Sequence, residues 1–181
     1  MATAMDVLAY MRALGHTFNG EFQAQKLAYY AQAWSVAWDG APLFDESIEA
    51  WRMGPVVRSV RYALDVRQPA PNPEAPLTPQ QKENIKAVLR YYGRMSGADL
   101  ADLTHAESPW KTVWGDRRPH DTCSDPIPLD LMRREYTRQS IEGKGPERVA
   151  LGARPAEPVD VRRLAEEANR RWSRTMALLA E

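Results

Sequence analysis

The chain has 181 residues, 44% of them hydrophobic and six of them tryptophan, enough apolar material for one substantial core and too much for wholesale disorder. Lys plus Arg and Asp plus Glu each number 24, so the formal charge is zero and no global basic field draws the chain to nucleic acid or an anionic membrane. Its single cysteine, Cys123, excludes an internal disulfide, and no run approaches the ~20 apolar residues of a membrane span.

The first residues, MATAMDVLAY, lack the basic region and apolar core of a signal peptide. The expectation is a soluble, cytoplasmic protein. In chain order, helices dominate the pattern. Thr3 with Asp6 reads as a capping box, and Val7, Tyr10, Met11 and Leu14 form an i, i+3, i+4, i+7 face that ends at Gly15. Leu27, Tyr30, Ala31, Trp34 and Trp38 then recur on one face of a second helix, which Gly40 and Pro42 end. An aromatic stripe at this spacing is far more often core than cofactor site, given the area Trp and Tyr bury.

Ser47 to Met53 reads as extended chain, a short edge strand, broken by Gly54 and Pro55. Because proline suits a first helical turn, Pro55 is expected to open a helix with Val56, Val60, Ala63 and Leu64 on its apolar face. Gln68 to Pro76 is a proline-rich loop. The clearest helix signal follows: Thr78 as cap, Pro79 at the first position, Gln81 closing the box, and a stripe of Ile85, Val88, Leu89 and Tyr92 before Gly93. Ser96 with Asp99 opens a short helix carrying Leu100 and Leu103, and Ser108 with Pro109 opens another carrying Trp110 and Trp114.

Residues 115 to 128 read as a loop, and Leu129 to Tyr136 as the last helix of the core. Thr137 to Pro158 is rich in Gly, Pro and charge, the composition of a linker. From Val159 onward Val161, Leu164, Ala165, Ala168, Trp172, Met176 and Leu179 follow a helical face, flanked by Arg and Glu at i, i+4, pairs worth about 0.2–0.5 kcal/mol each. That stripe either packs back on the domain or meets a partner or a second copy.

Catalytic and metal signals are weak. His120 and Cys123 have H-x-x-C spacing, but a zinc site needs four ligands and the only other histidines are His16 and His105. Asp45, Glu46 and Glu49, with Asp39 nearby, fit no calcium loop. His105 and Glu107 sit near a helix start, where a general base is conceivable, but a structural histidine bonded to a loop carbonyl is the more common arrangement. No G-x-S-x-G, Walker lysine loop or G-x-G-x-x-G occurs. The reading is therefore of a protein that is not an enzyme, with no catalytic residues, no metal and no cofactor.

One resemblance cuts across these elements. KLAYYAQAW followed by PLFDESIEAWRMGPVV, then LTPQQKENIKAVLRYYGRMSGADLADLTHAESPWK at 77–111, resembles the Panacea domain of SocA-like antitoxins. The likeness extends over roughly residues 5 to 136 and departs from the pattern at Met53 and Ala28. With the residue patterns it gives a mainly α fold, a single compact helical domain at 1–137 with at most a short β element near 47–53; the linker at 138–158 and the C-terminal amphipathic helix at 159–181 lie beyond the likeness and rest on composition and periodicity.

The resemblance also implies a bacterial or phage antitoxin that neutralises a cognate protein toxin by direct binding. The alternatives are an adaptor delivering the toxin to a protease, and a DNA-binding autoregulator using the Arg-bearing helix at 162–174. Charge balance disfavours the last. The expected partner-binding residues are Lys26, Trp51, Arg52, Gly54 and His105, lining one groove, together with Trp172 on the C-terminal helix, through which the chain is also expected to self-associate.

Overall fold

The computed structural model describes residues 2–65 and 76–152. The stripe at 159–181, with Trp172, and nearly all of the proline-rich loop lie outside the described residues, as do the self-association and DNA-binding readings that rest on that stripe. Seven helices and one hairpin are present among the described residues: α1 (Ala4–Ala13), α2 (Gly20–Asp39), β1 (Ile48–Trp51), β2 (Gly54–Val57), α3 (Arg58–Asp65), α4 (Pro79–Tyr92), α5 (Gly97–Ala106), α6 (Ser108–Trp114) and α7 (Leu129–Ile141). The fold is mainly α with a short β element, as the sequence pattern implies.

Three helix starts follow directly from local chemistry. The hydroxyls of Thr3, Thr78 and Ser96 accept from the amides of Asp6, Gln81 and Asp99, whose side chains reach back to the cap amide in each case. Each box satisfies two backbone donors that a helix end leaves open, and losing such a cap costs about 1 kcal/mol. Gly40 ends α2 at φ +69, a left-handed conformation that side chains with a Cβ resist. Helix α6 starts differently. Glu107 is its cap residue but makes no side-chain cap bond, and the Ser108 hydroxyl donates to Glu135 at 2.6 Å.

Helix α2 is the axis of the domain. Its residues are buried without interruption from Gln23 to Val36, and α1, α3, α4, α5, α7 and β2 all pack on it. The apolar stripe of the sequence is thus one side of a helix that is enclosed on every side. Tyr29, Tyr30 and Trp34 of α2 are fully buried, as is Tyr136 of α7, and removing each aromatic ring from water is worth about 4–6 kcal/mol in transfer free energy. The rings interlock: Tyr30 stacks on Tyr92 at 4.0 Å between centroids, while Tyr136 meets Trp34 edge-on at 5.2 Å.

Enclosure forces the polar residues of α2 to find partners. Gln32 Oε1 accepts from the amides of Leu43 and Phe44, and its Nε2 donates to the Phe44 carbonyl, fastening the loop after the helix. Gln23 donates to the carbonyls of Gly93 and Met95, fastening the connection between α4 and α5. These amides replace water for loop backbone that the core has dehydrated.

Two expectations need correction. Pro55 does not open a helix. It lies in β2, opposite Ala50 in an antiparallel register that runs from Ile48↔Val57 to Trp51↔Gly54, and α3 begins only at Arg58. The reason is tertiary: Gln25 accepts from the Val57 amide and donates to the Val57 carbonyl, and Lys26 donates to the Pro55 carbonyl, so α2 serves as the outer partner of β2. Helix α7 continues to Ile141 instead of stopping at Tyr136. Beyond it, Arg148 pairs with Asp39 at 2.6 Å and Gln80 bonds both Val149 and Leu151, so residues 148–151 lie against α2 and α4.

Candidate functional site

The hairpin is held from behind by side chains of three helices. Besides Gln25 and Lys26 of α2, Trp110 of α6 donates its indole N–H to the Trp51 carbonyl at 2.8 Å, and His105 of α5 hydrogen-bonds to the backbone of Arg52. On its other side β1 bonds to the loop at 125–127, the Ala50 amide donating to Asp125 and the Ile127 amide to Ile48. A two-stranded hairpin is marginal in water on its own. Here the backbones of Ile48, Ala50, Trp51, Arg52, Pro55 and Val57 each have a tertiary partner.

Gly54 is the tightest point of this arrangement. Its φ is +93, and a Cβ placed on it would come within 2.8 Å of both Lys26 Nζ and Thr104 Oγ1. Only glycine lets the turn close directly over the lysine. Lys26 itself is fully buried, with its ammonium 2.9 Å from the Pro55 carbonyl and 5.0 Å from the centre of the Phe22 ring. No carboxylate pairs with it among the described residues. Burial therefore lowers its pKa from 10.5 to about 7, because desolvation disfavours the charged form.

His105 stands next to it in the electrostatics. Burial first, and the Lys26 charge second, hold its imidazole below the ordinary range, against the opposing pull of Asp102 and the bond to Arg52. Its ring packs on Trp110 at 4.1 Å, and its Nε2 is buried without a hydrogen-bond partner. A neutral histidine in this position acts as a strut under the turn.

In front of the hairpin, between α2 and the loop at 117–125, lies a groove of about 590 Å³. Phe22, Trp51, Met53 and Val56 give it an apolar surface, and Lys26 forms part of its floor. Arg61 and Arg117 on its walls are paired with Glu21 at 3.1 Å and Asp125 at 2.7 Å. Arg58 pairs with Glu49 at 2.8 Å, and the guanidinium groups of Arg58 and Arg61 both lie over the Trp51 ring, fixing it at the rim.

The structure places Lys26, Trp51 and Arg52 on this groove, with Gly54 and His105 directly behind it. The acidic residues Asp39, Glu46 and Glu49 are dispersed among separate partners, and no group of three or more metal-ligating side chains gathers among the described residues. Sequence reading missed Gln25, and it missed a second buried polar cluster in which Glu107 accepts from Tyr136 at 2.7 Å, Gln139 at 3.1 Å and Tyr30 at 3.3 Å. Gln25 and Gln32 stand seven apart, two helical turns, in a run that apart from Lys26 is apolar or aromatic. That spacing is the signal that could have found them.

A comparison with known families matches residues 25–111 to the model described as antitoxin SocA-like, Panacea domain. That stretch matches a Panacea domain. No curated protein and no solved structure matches the chain. The family match supports an antitoxin role in general terms, with a toxin as the corresponding kind of partner. The matched stretch includes Lys26, the hairpin and His105, while the groove wall at 117–125 lies beyond it. No described helix is long and apolar enough to cross a membrane.

Proposed function

We propose that this protein neutralises a cognate protein toxin by binding it directly, and that the groove in front of the hairpin is the contact surface. The observation that carries this reading is a concave, apolar surface presented on a backbone fixed by α2, α5 and α6. Aromatic and Arg side chains are the usual anchors of protein interfaces, and Trp51, held by two guanidinium groups beside the exposed Arg52, has that character. In this scheme Lys26, Trp51 and Arg52 meet the toxin, Gly54 and His105 set the shape of the turn, and Trp172 adds contact from the C-terminal segment. The chemistry required is recognition, with no catalytic step.

Co-expression with the product of the neighbouring reading frame tests the proposal. Growth should be restored and the two proteins should co-purify, and Trp51→Ala should lose both effects while the chain still folds. Failure of rescue and co-purification together with that gene product refutes the reading. Toxin half-life, compared with and without this chain in protease-proficient and protease-deficient hosts, separates blocking from delivery: an adaptor shortens the half-life only where the protease is present, whereas a blocking antitoxin leaves it unchanged in both hosts.

A further inference from the structure

Four cations and two carboxylates line the groove. Arg61 and Arg117 use the two carboxylates, Glu21 and Asp125. The remaining cations, Lys26 and Arg52, have no acidic partner among the described residues. They differ in kind. Arg52 is exposed at the turn, where solvation makes an unpaired guanidinium inexpensive, whereas Lys26 is sealed from solvent with a single carbonyl to satisfy three N–H donors. An ammonium in that setting is costly unless a partner completes it.

We propose that the groove is a receptor for an acidic segment of the partner protein, in which one Asp or Glu carboxylate reaches Lys26 Nζ, Arg52 binds acidic groups at the rim, and an adjacent apolar residue packs on Trp51 and Met53. The proposal rests on the reading of the groove as the toxin-contact surface and adds the chemistry of what enters it. Phe22 covers Nζ and also lines the groove, so its ring is the side chain that turns aside as the carboxylate arrives. The carboxylate then accepts from the two ammonium donors that Pro55 leaves open. A peptide fits better than a nucleic-acid strand. The groove surface is mainly apolar, the chain has no net positive charge, and the buried cation, Lys26, is sealed in the floor, within reach of one side chain and not of a row of phosphates.

The test uses the full chain and the toxic product of the neighbouring reading frame. Lys26→Met and Arg52→Gln are compared with the unaltered chain, and the toxin's Asp and Glu residues are changed singly to Asn and Gln. Removing one member of a buried charge pair should weaken binding at least about thirtyfold for Lys26→Met. One toxin amide substitution should cause a similar loss, with no further loss when the two are combined. Arg52 is exposed, so Arg52→Gln keeps its fold and provides the second readout, a weaker complex whose salt dependence is reduced.

If Trp51→Ala abolishes binding while Lys26→Met and Arg52→Gln bind within about twofold of the unaltered chain, the acidic ligand is refuted and the groove reading stands. If all three variants bind normally, the groove reading fails as well. Displacement of the toxin by a short single-stranded oligonucleotide, with no effect from any toxin carboxylate, would replace the acidic segment with a phosphate ligand and overturn the proposal.

Discussion

Replacing Lys26 with methionine removes a buried charge while keeping an unbranched side chain of similar length, and its consequence for stability can be worked out with its sign. The folded chain holds this ammonium at a pKa of about 7, against 10.5 when it is exposed. Between those values the unfolded chain binds a proton that the folded chain does not, so stability rises with pH across the window and is lost as pH falls toward 7. At roughly 1.4 kcal/mol per unit the whole window amounts to about 4–5 kcal/mol, an upper figure for a group this deeply buried. Lys26→Met has no such proton. The variant's advantage over the unaltered chain should therefore be largest at about pH 7 and shrink by about 2 kcal/mol by pH 9.

Urea unfolding of both proteins at pH 7, 8 and 9, followed by far-ultraviolet circular dichroism, reads that difference directly. Groups common to both chains cancel. His105 does not cancel, because loss of the Lys26 charge frees its imidazole to rise, but its pKa is held below 6.5 in the folded chain and its effect falls mainly under pH 7. A stability difference that stays constant within about 0.5 kcal/mol across this range would show that Lys26 is not a desolvated ammonium, and would remove the main support for an acidic ligand.

Gly54→Ala places a Cβ at φ +93 against Lys26 and Thr104; it should cost about 2–4 kcal/mol and lower the melting temperature by roughly 5–15 °C, and a loss under about 3 °C would refute the steric account. Trp110→Phe keeps the ring on His105 but removes the donor to the Trp51 carbonyl. It should cost only about 0.5–1.5 kcal/mol while accelerating amide exchange at Ala50, and unchanged exchange would mean the hairpin is fixed by its other partners. Burial raises the Glu107 carboxyl above its ordinary 4.5, so its contribution to stability is full below that value and is lost as pH rises. Glu107→Gln should therefore match or exceed the unaltered chain at neutral pH in denaturant midpoint, whereas Glu107→Ala, which strands the Tyr30 hydroxyl and leaves that of Tyr136 only Tyr29, should lose about 2–3 kcal/mol.

Helix starts were legible because they are local. Thr3 to Asp6, Thr78 to Gln81 and Ser96 to Asp99 are three-residue interactions, and periodicity then carries each helix to its end. Pro55 was misread because its surroundings are assembled from distant sequence. At the level of dipeptides Gly-Pro opens a helix as readily as it turns a strand, and the choice is made by Gln25 and Lys26, which are 30 and 29 residues away from it. The same limit applies to the site. Lys26 entered as an expected groove residue through the resemblance, but that it lies against Gly54 depends on α2, α5 and β2 converging, which no single-helix pattern contains.

The physical content of the Panacea motif then follows from what its residues do in three dimensions. Leu27, Tyr30 and Trp34 build the axis, while Lys26, Gly54, His105 and Trp110 fix a turn that projects Trp51 and Arg52. A surface loop normally loses conformational freedom when it binds, at about 0.5–1.5 kcal/mol for each side chain immobilised. Here the backbone is already fixed by the core and Trp51 by two guanidinium groups, so little of that cost remains to be met on association. The device has a thermodynamic counterpart: the core retains an ammonium that would be more stable in water. A fold selected for stability alone would place methionine at position 26, and the retained lysine is intelligible if a partner's carboxylate recovers in the complex what burial costs in the free chain.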